Sequence, residues 1–77
     1  MEEYQLRVVD ERNELGLKLE ALDQFLNSEN INRVSVVQKR LLKDQYEAME
    51  NYYRALDYRI VDFEFHIMKN KTEDVIN

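Results

Sequence analysis

A chain of 77 residues with net charge −5, one glycine, one histidine, no proline and no cysteine excludes several classes of protein at once. Without thiols there is no disulfide framework, thiolate metal site or cysteine nucleophile, and a single domain this small must rely on close helix packing or on other chains for its core. The negative balance argues against general nucleic-acid binding, which needs a basic face against phosphates, although a local group of arginines still serves for a small anion.

The N-terminal "MEEYQLRVVDER" is too acidic and polar for a secretory leader, and no apolar run approaches the roughly 20 residues that a membrane span needs. A soluble, intracellular protein with no membrane contact is expected. With proline absent and Gly16 the only glycine, long helices are the default.

The first helix is expected from about Glu3 to Asn27. Val8, Leu15, Leu19, Leu22 and Leu26 fall on one helical stripe, with Leu6 and Val9 beside it at one end and Phe25 at the other. Gly16, in mid-helix, reads as a point of close approach between helices. The stretch "NSENINRVS", residues 27 to 35, clusters small polar residues and predicts a loop at 28 to 34, with room for a helical turn. Ser35 followed by Gln38 then has the spacing of a capping box, in which the hydroxyl accepts from the amide three residues on.

The second helix is expected from about Val36 to Met68 or Lys69. Leu42, Tyr46, Met49, Tyr53, Leu56, Ile60, Phe63 and Ile67 alternate steps of four and three, which is a heptad seam. Residues 71 to 77 lack a period and read as a loose tail after a single α-hairpin domain over 1 to 70. "VDFEFHI", residues 61 to 67, alternates like a strand, but no second strand-like segment exists to satisfy its backbone, so the helical period is expected to win.

A short loop makes the two helices an antiparallel hairpin, an all-α fold. With the loop as a central pivot, Leu15 should face Tyr46, Val8 should lie near Tyr53 and Leu56, and the first helix should run out near residue 60. Phe63 and Ile67 would then extend the seam past their partner, with Val61 and Phe65 making other faces apolar. These four residues are the expected interface of a homo-oligomeric helical bundle, because large apolar patches on small proteins mark contact surfaces.

The chain offers no catalytic set. His66 is the only histidine, and no serine stands with a base and an orienting acid. Neither Glu-x-x-His nor His-Glu-x-x-His occurs, so no metal ligands and no cofactor are assigned. Arg33, Lys39, Arg40 and Lys43 near the start of the second helix read as a solvated basic patch. A more specific constellation is the heptad repeat of Gln38, Gln45, Tyr52, Arg59 and His66, a polar and aromatic stripe beside the apolar seam. Pivot pairing brings Tyr4, Gln5 and Arg7 toward Tyr52 and Arg59, with guanidinium groups suited to phosphates and phenol rings suited to stacking. Tyr4, Gln5, Arg7, Gln45, Tyr52 and Arg59 are therefore the candidate ligand residues. Shielding of the seam by long polar side chains explains the same pattern without a ligand.

"YQLRVVDERNELGLKLEALDQFL" followed by "LLKDQYEAMENYYRALDYRI" resembles a family of small bacteriophage proteins first named from a crAss-like phage. The matching positions are Tyr4, Gln5, Arg7, Val8, Glu11, Glu14, Leu15, Lys18, Leu19, Leu22, Phe25 and Leu26, then Leu41, Leu42, Gln45, Ala48, Met49, Tyr52, Leu56, Arg59 and Ile60. The resemblance implies a phage accessory protein in the cytoplasm of the host bacterium. It is similar in style to the anti-CBASS and anti-Thoeris sponges, which oligomerise and sequester cyclic nucleotide or cyclic ADP-ribose signals. The expected partners are thus copies of itself and a small anionic nucleotide-like ligand held without catalysis. The competing expectation is a helical interaction module that docks on a host protein and inhibits or modulates it.

Overall fold

The computed structural model describes the backbone of residues 1 to 76 and the side chains of residues 1 to 69. It contains α1 (Glu3–Leu26), a 3-10 helix η1 (Glu29–Arg33) and α2 (Val36–Ile76). The two α-helices lie antiparallel in a rod 63 × 18 × 15 Å. Forty-one residues of α2 rising about 1.5 Å each account for its full length.

The chain caps these elements locally. At the start of α1 the Gln5 side chain accepts from the Glu2 N–H at 2.7 Å, satisfying one of the donors that a helix start leaves open. At its end the Asn27 amide donates to the Asp23 carbonyl at 2.8 Å. Ser28 donates to the Phe25 carbonyl at 2.8 Å and accepts from Asn30 N–H at 3.2 Å, which joins α1 to η1. Ser35 accepts from the Gln38 N–H at 3.1 Å, the contact expected from their spacing. The 61 to 67 stretch is helical throughout. The second helix also continues to Ile76, past the end expected at Met68 or Lys69, and so takes in most of the expected tail. Residues 69 to 76 contain neither glycine nor proline, so nothing there breaks the backbone pattern. Asn77 lies outside the described residues.

Val8, Leu15 and Leu19 of α1 and Leu56 and Ile60 of α2 form the buried core, with Val9, Tyr46, Met49, Tyr53 and Phe63 packed partly against it. All were on the expected stripes. Leu6 departs from its expected place and is half exposed.

The register differs from the pivot pairing by about two turns of α2. Gly16, the neighbour of the Leu15 expected to face Tyr46, sits against Tyr53: a Cβ placed there would be 3.2 Å from the ring. Arg12 bonds Asp57 at 2.8 Å, and Tyr4 meets Phe63 with ring centroids 5.8 Å apart. The cause lies in the connection. Five residues of η1 at about 2.0 Å each cover roughly 10 Å, the rise of nearly seven α-helical residues, so the turn is not a compact pivot. The start of α2 therefore extends beyond α1, and Val36, Val37 and Leu41 stay exposed. At the opposite end α1 reaches farther along α2 than expected, and this corrects the overhang. Phe63 packs on the hairpin core under Tyr4, and Ile67 is half-buried, whereas Val61 and Phe65 are exposed.

Candidate functional site

Two cross-helix contacts mark the two flanks of the hairpin. On one, the Tyr52 hydroxyl donates to Glu11 Oε1. On the other, Arg12 Nη1 donates to Asp57 Oδ1 in a partly buried ion pair. Residues seven apart return to nearly the same face of a helix. Tyr4, seven before Glu11, and Arg59 and Gln45, seven either side of Tyr52, therefore share the first flank. Gln5, seven before Arg12, belongs to the second.

The expected six-residue site is thus divided. Tyr4 and Arg59 come together over one ring: the Arg59 guanidinium carbon lies 5.8 Å from the centroid of Phe63, and Tyr4 meets the same ring edge-on at 85°. Tyr52 stands two turns away, about 10.5 Å along α2, and Gln45 about 21 Å from Arg59. Gln45 reaches Met49 Sδ at 3.7 Å. Gln5 serves the cap of α1. Arg7 does not turn inward toward Tyr52 and Leu56; it bonds Glu3 at 2.8 Å on the outer face of α1, with both side chains well exposed. Adjacent residues on a helix point about 100° apart, so Tyr4, Gln5 and Arg7 cannot line one narrow groove.

Sequence reasoning missed Phe63 as the centre of this group, having placed it in an oligomer interface. The signal was present in the i, i+4 spacing of Arg59 and Phe63, which brings a guanidinium over an aromatic ring on one helix face. It also missed Glu11, whose contact with Tyr52 the pivot pairing already allowed, and Arg12, whose partner Asp57 depends on the register.

The electrostatics of this flank are uneven. Glu11 places a carboxylate beside Tyr52, which repels an anion there. Arg59 is exposed and makes no ion pair among the described residues, so its guanidinium retains its capacity for two-pronged bonds to a phosphate or carboxylate. The anion-competent end of the flank is therefore at Arg59, Phe63 and Tyr4. Farther along, His66 lies 3.4 Å from Asp62 and edge-on to Phe65. Toward the other end of the hairpin, loss of hydration raises the Tyr46 phenol above its ordinary ionisation range, and the nearby Asp23 and Glu50 carboxylates raise it further. Among the described residues no helix is long and apolar enough to cross a membrane, and no group of three His, Asp or Glu side chains is placed to hold a metal ion.

Two antiparallel helices with an aromatic and cationic flank define a small all-α hairpin protein. The chain belongs to the Sequestin family, whose model matches residues 2–62. It is similar to a protein of Enterobacteria phage T4 described as an "Uncharacterized 7.5 kDa protein in denB-rIIB intergenic region", 42% identical over 60 residues that cover 78% of this chain and 94% of that relative. The resemblance to a family of small phage proteins therefore holds. No solved structure matches the chain.

Proposed function

We propose that this protein binds and sequesters a small anionic nucleotide-type signal, of the cyclic nucleotide or cyclic ADP-ribose class, in the infected bacterium, and releases it chemically unchanged. The family description, Sequestin, supports a role in sequestration, and the phage relative supports action inside a host cell. The observation that carries the reading is the arrangement of Arg59 and Tyr4 about Phe63. A guanidinium without a carboxylate partner suits a phosphate, and an exposed phenol ring beside it suits a base, whose stacking on an aromatic side chain contributes about 1–3 kcal/mol. Tyr52 extends the same flank within reach of the far side of such a ligand, whereas Gln45, about 21 Å along α2 from Arg59, lies beyond it and acts through its contact with Met49. Gln5 and Arg7 act indirectly, Gln5 through the helix start that carries Tyr4.

The test is a thermal-shift panel of cyclic di- and trinucleotides and cyclic ADP-ribose isomers, with bound ligand recovered and identified by chromatography. At least one compound should raise the melting temperature of the native protein, lose that effect with Arg59→Ala and Tyr4→Ala, and be recovered intact. A panel with no shift at all removes the proposal in favour of docking on a host protein. Recovery of a cleaved product would make the protein an enzyme.

A further inference from the structure

The flank that carries Arg59 differs in chemistry between its two ends. At the far end the Tyr52 hydroxyl gives its one proton to Glu11 Oε1. Glu11 is exposed and makes no ion pair among the described residues. A carboxylate accepts hydrogen bonds at both oxygens and donates none, so with the phenol proton engaged this pair offers a ligand acceptors only. Sugar hydroxyls and exocyclic amines can bond to it. A phosphate, itself an acceptor and an anion, is repelled. We infer, on the basis of the nucleotide reading above, that Glu11 sets the specificity of the flank: it selects a nucleotide whose phosphates are gathered at one end, on Arg59, and whose sugar hydroxyls meet Glu11 at the other, and it discriminates against a phosphate on those hydroxyls.

The layout of both helices supports this division. Tyr4 and Glu11 on α1, and Tyr52 and Arg59 on α2, are each seven residues apart. Each end of the flank therefore takes one residue from each helix: Tyr4 with Arg59 about the Phe63 ring, and Glu11 with Tyr52. The two ends are about 10.5 Å apart along the helices, comparable with the length of one extended nucleotide. Between Tyr52 and Arg59 on this face stands Ala55, one turn from each, exposed and too small to block a molecule lying across both ends. Both charged ends are open to solvent, so their selectivity is modest. Two like unit charges about 4 Å apart in water repel by enough for a roughly fivefold change in affinity, and salt reduces that further.

A pair of isomeric probes tests this. Adenosine 5′-diphosphate carries both phosphates at one end and leaves its 2′ and 3′ hydroxyls free, whereas adenosine 3′,5′-bisphosphate has one phosphate moved onto the 3′ hydroxyl. In calorimetric titrations the native chain should bind the diphosphate roughly fivefold more tightly, with a smaller ratio in high salt. Glu11→Gln keeps an acceptor for the Tyr52 hydroxyl and removes the charge, so it should bring the two affinities nearly level with unchanged far-UV circular dichroism. Arg59→Ala should weaken both nucleotides alike. Equal binding of the two probes by the native protein overturns the inference, as does a Glu11→Gln protein that keeps the native ratio. It also falls if neither probe binds, and the sequestration reading is then judged separately by its own panel of cyclic compounds.

Discussion

Replacing Gly16 reports directly on how the helices are aligned, because the account places this residue against Tyr53 and a central pivot would place it against Tyr46. In Gly16→Ala, helix propensity contributes about 1 kcal/mol of stabilisation. The new methyl lies 3.2 Å from the Tyr53 ring, and a half-buried ring can move by the few tenths of an ångström required. The expected result is a protein as stable as the native chain or slightly more so. Gly16→Val adds branching on the same side, and displacing the ring further should cost about 1–3 kcal/mol, as overpacking does elsewhere. Urea unfolding followed by far-UV circular dichroism measures both. A double-mutant cycle of Gly16→Val with Tyr53→Ala should show a coupling of about 1 kcal/mol, and the same cycle with Tyr46→Ala should show little, because noncontacting sites add. Coupling to Tyr46 with none to Tyr53 would refute the register.

Three further outcomes follow from the same packing. Leu56 is 1% exposed at the centre of the core, and Leu56→Ala should lower the unfolding free energy by about 2–5 kcal/mol, readable as a fall in the urea midpoint. The Arg12 and Asp57 pair, of which Asp57 is 43% exposed, should show a coupling of only about 0.5–1 kcal/mol in a double-mutant cycle, and this should shrink in high salt. Tyr46 ionises above its ordinary value of 10.0 in the folded chain, so the folded state holds that proton more tightly than the unfolded state does. Its contribution is present below pH 10 and lost as pH rises through the folded value; Tyr46→Phe should flatten the fall in stability above pH 10.

The residues differ in how far their roles could be read in advance. The helices, the Ser35 cap and Gly16 as a close approach rest on local chemistry, and local chemistry is written in the order of residues. The register was not legible, because it depends on how far η1 carries the chain before α2 begins. Arg12 with Asp57 and the covering of Phe63 follow from that displacement, whereas Glu11 with Tyr52 lies close to the central-pivot pairing and is bridged by two long side chains. Tyr4 and Gln5 show the corresponding limit at the site. Adjacent in sequence and both part of one motif, they serve opposite flanks, since a helix turns by about 100° per residue. Arg59 kept its place in the candidate site because its nearest determinant, Phe63, lies one turn away on the same helix.

Calorimetric titration of cyclic nucleotides and cyclic ADP-ribose isomers into the native protein and Arg59→Ala tests the central claim most directly. The account predicts saturable binding of at least one of them to the native chain and roughly tenfold or greater weakening in the variant, in keeping with about 1.5–3 kcal/mol for a hydrogen bond to a charged group. Binding that Arg59→Ala leaves unchanged would contradict the site, and no binding by any of these compounds would contradict the function.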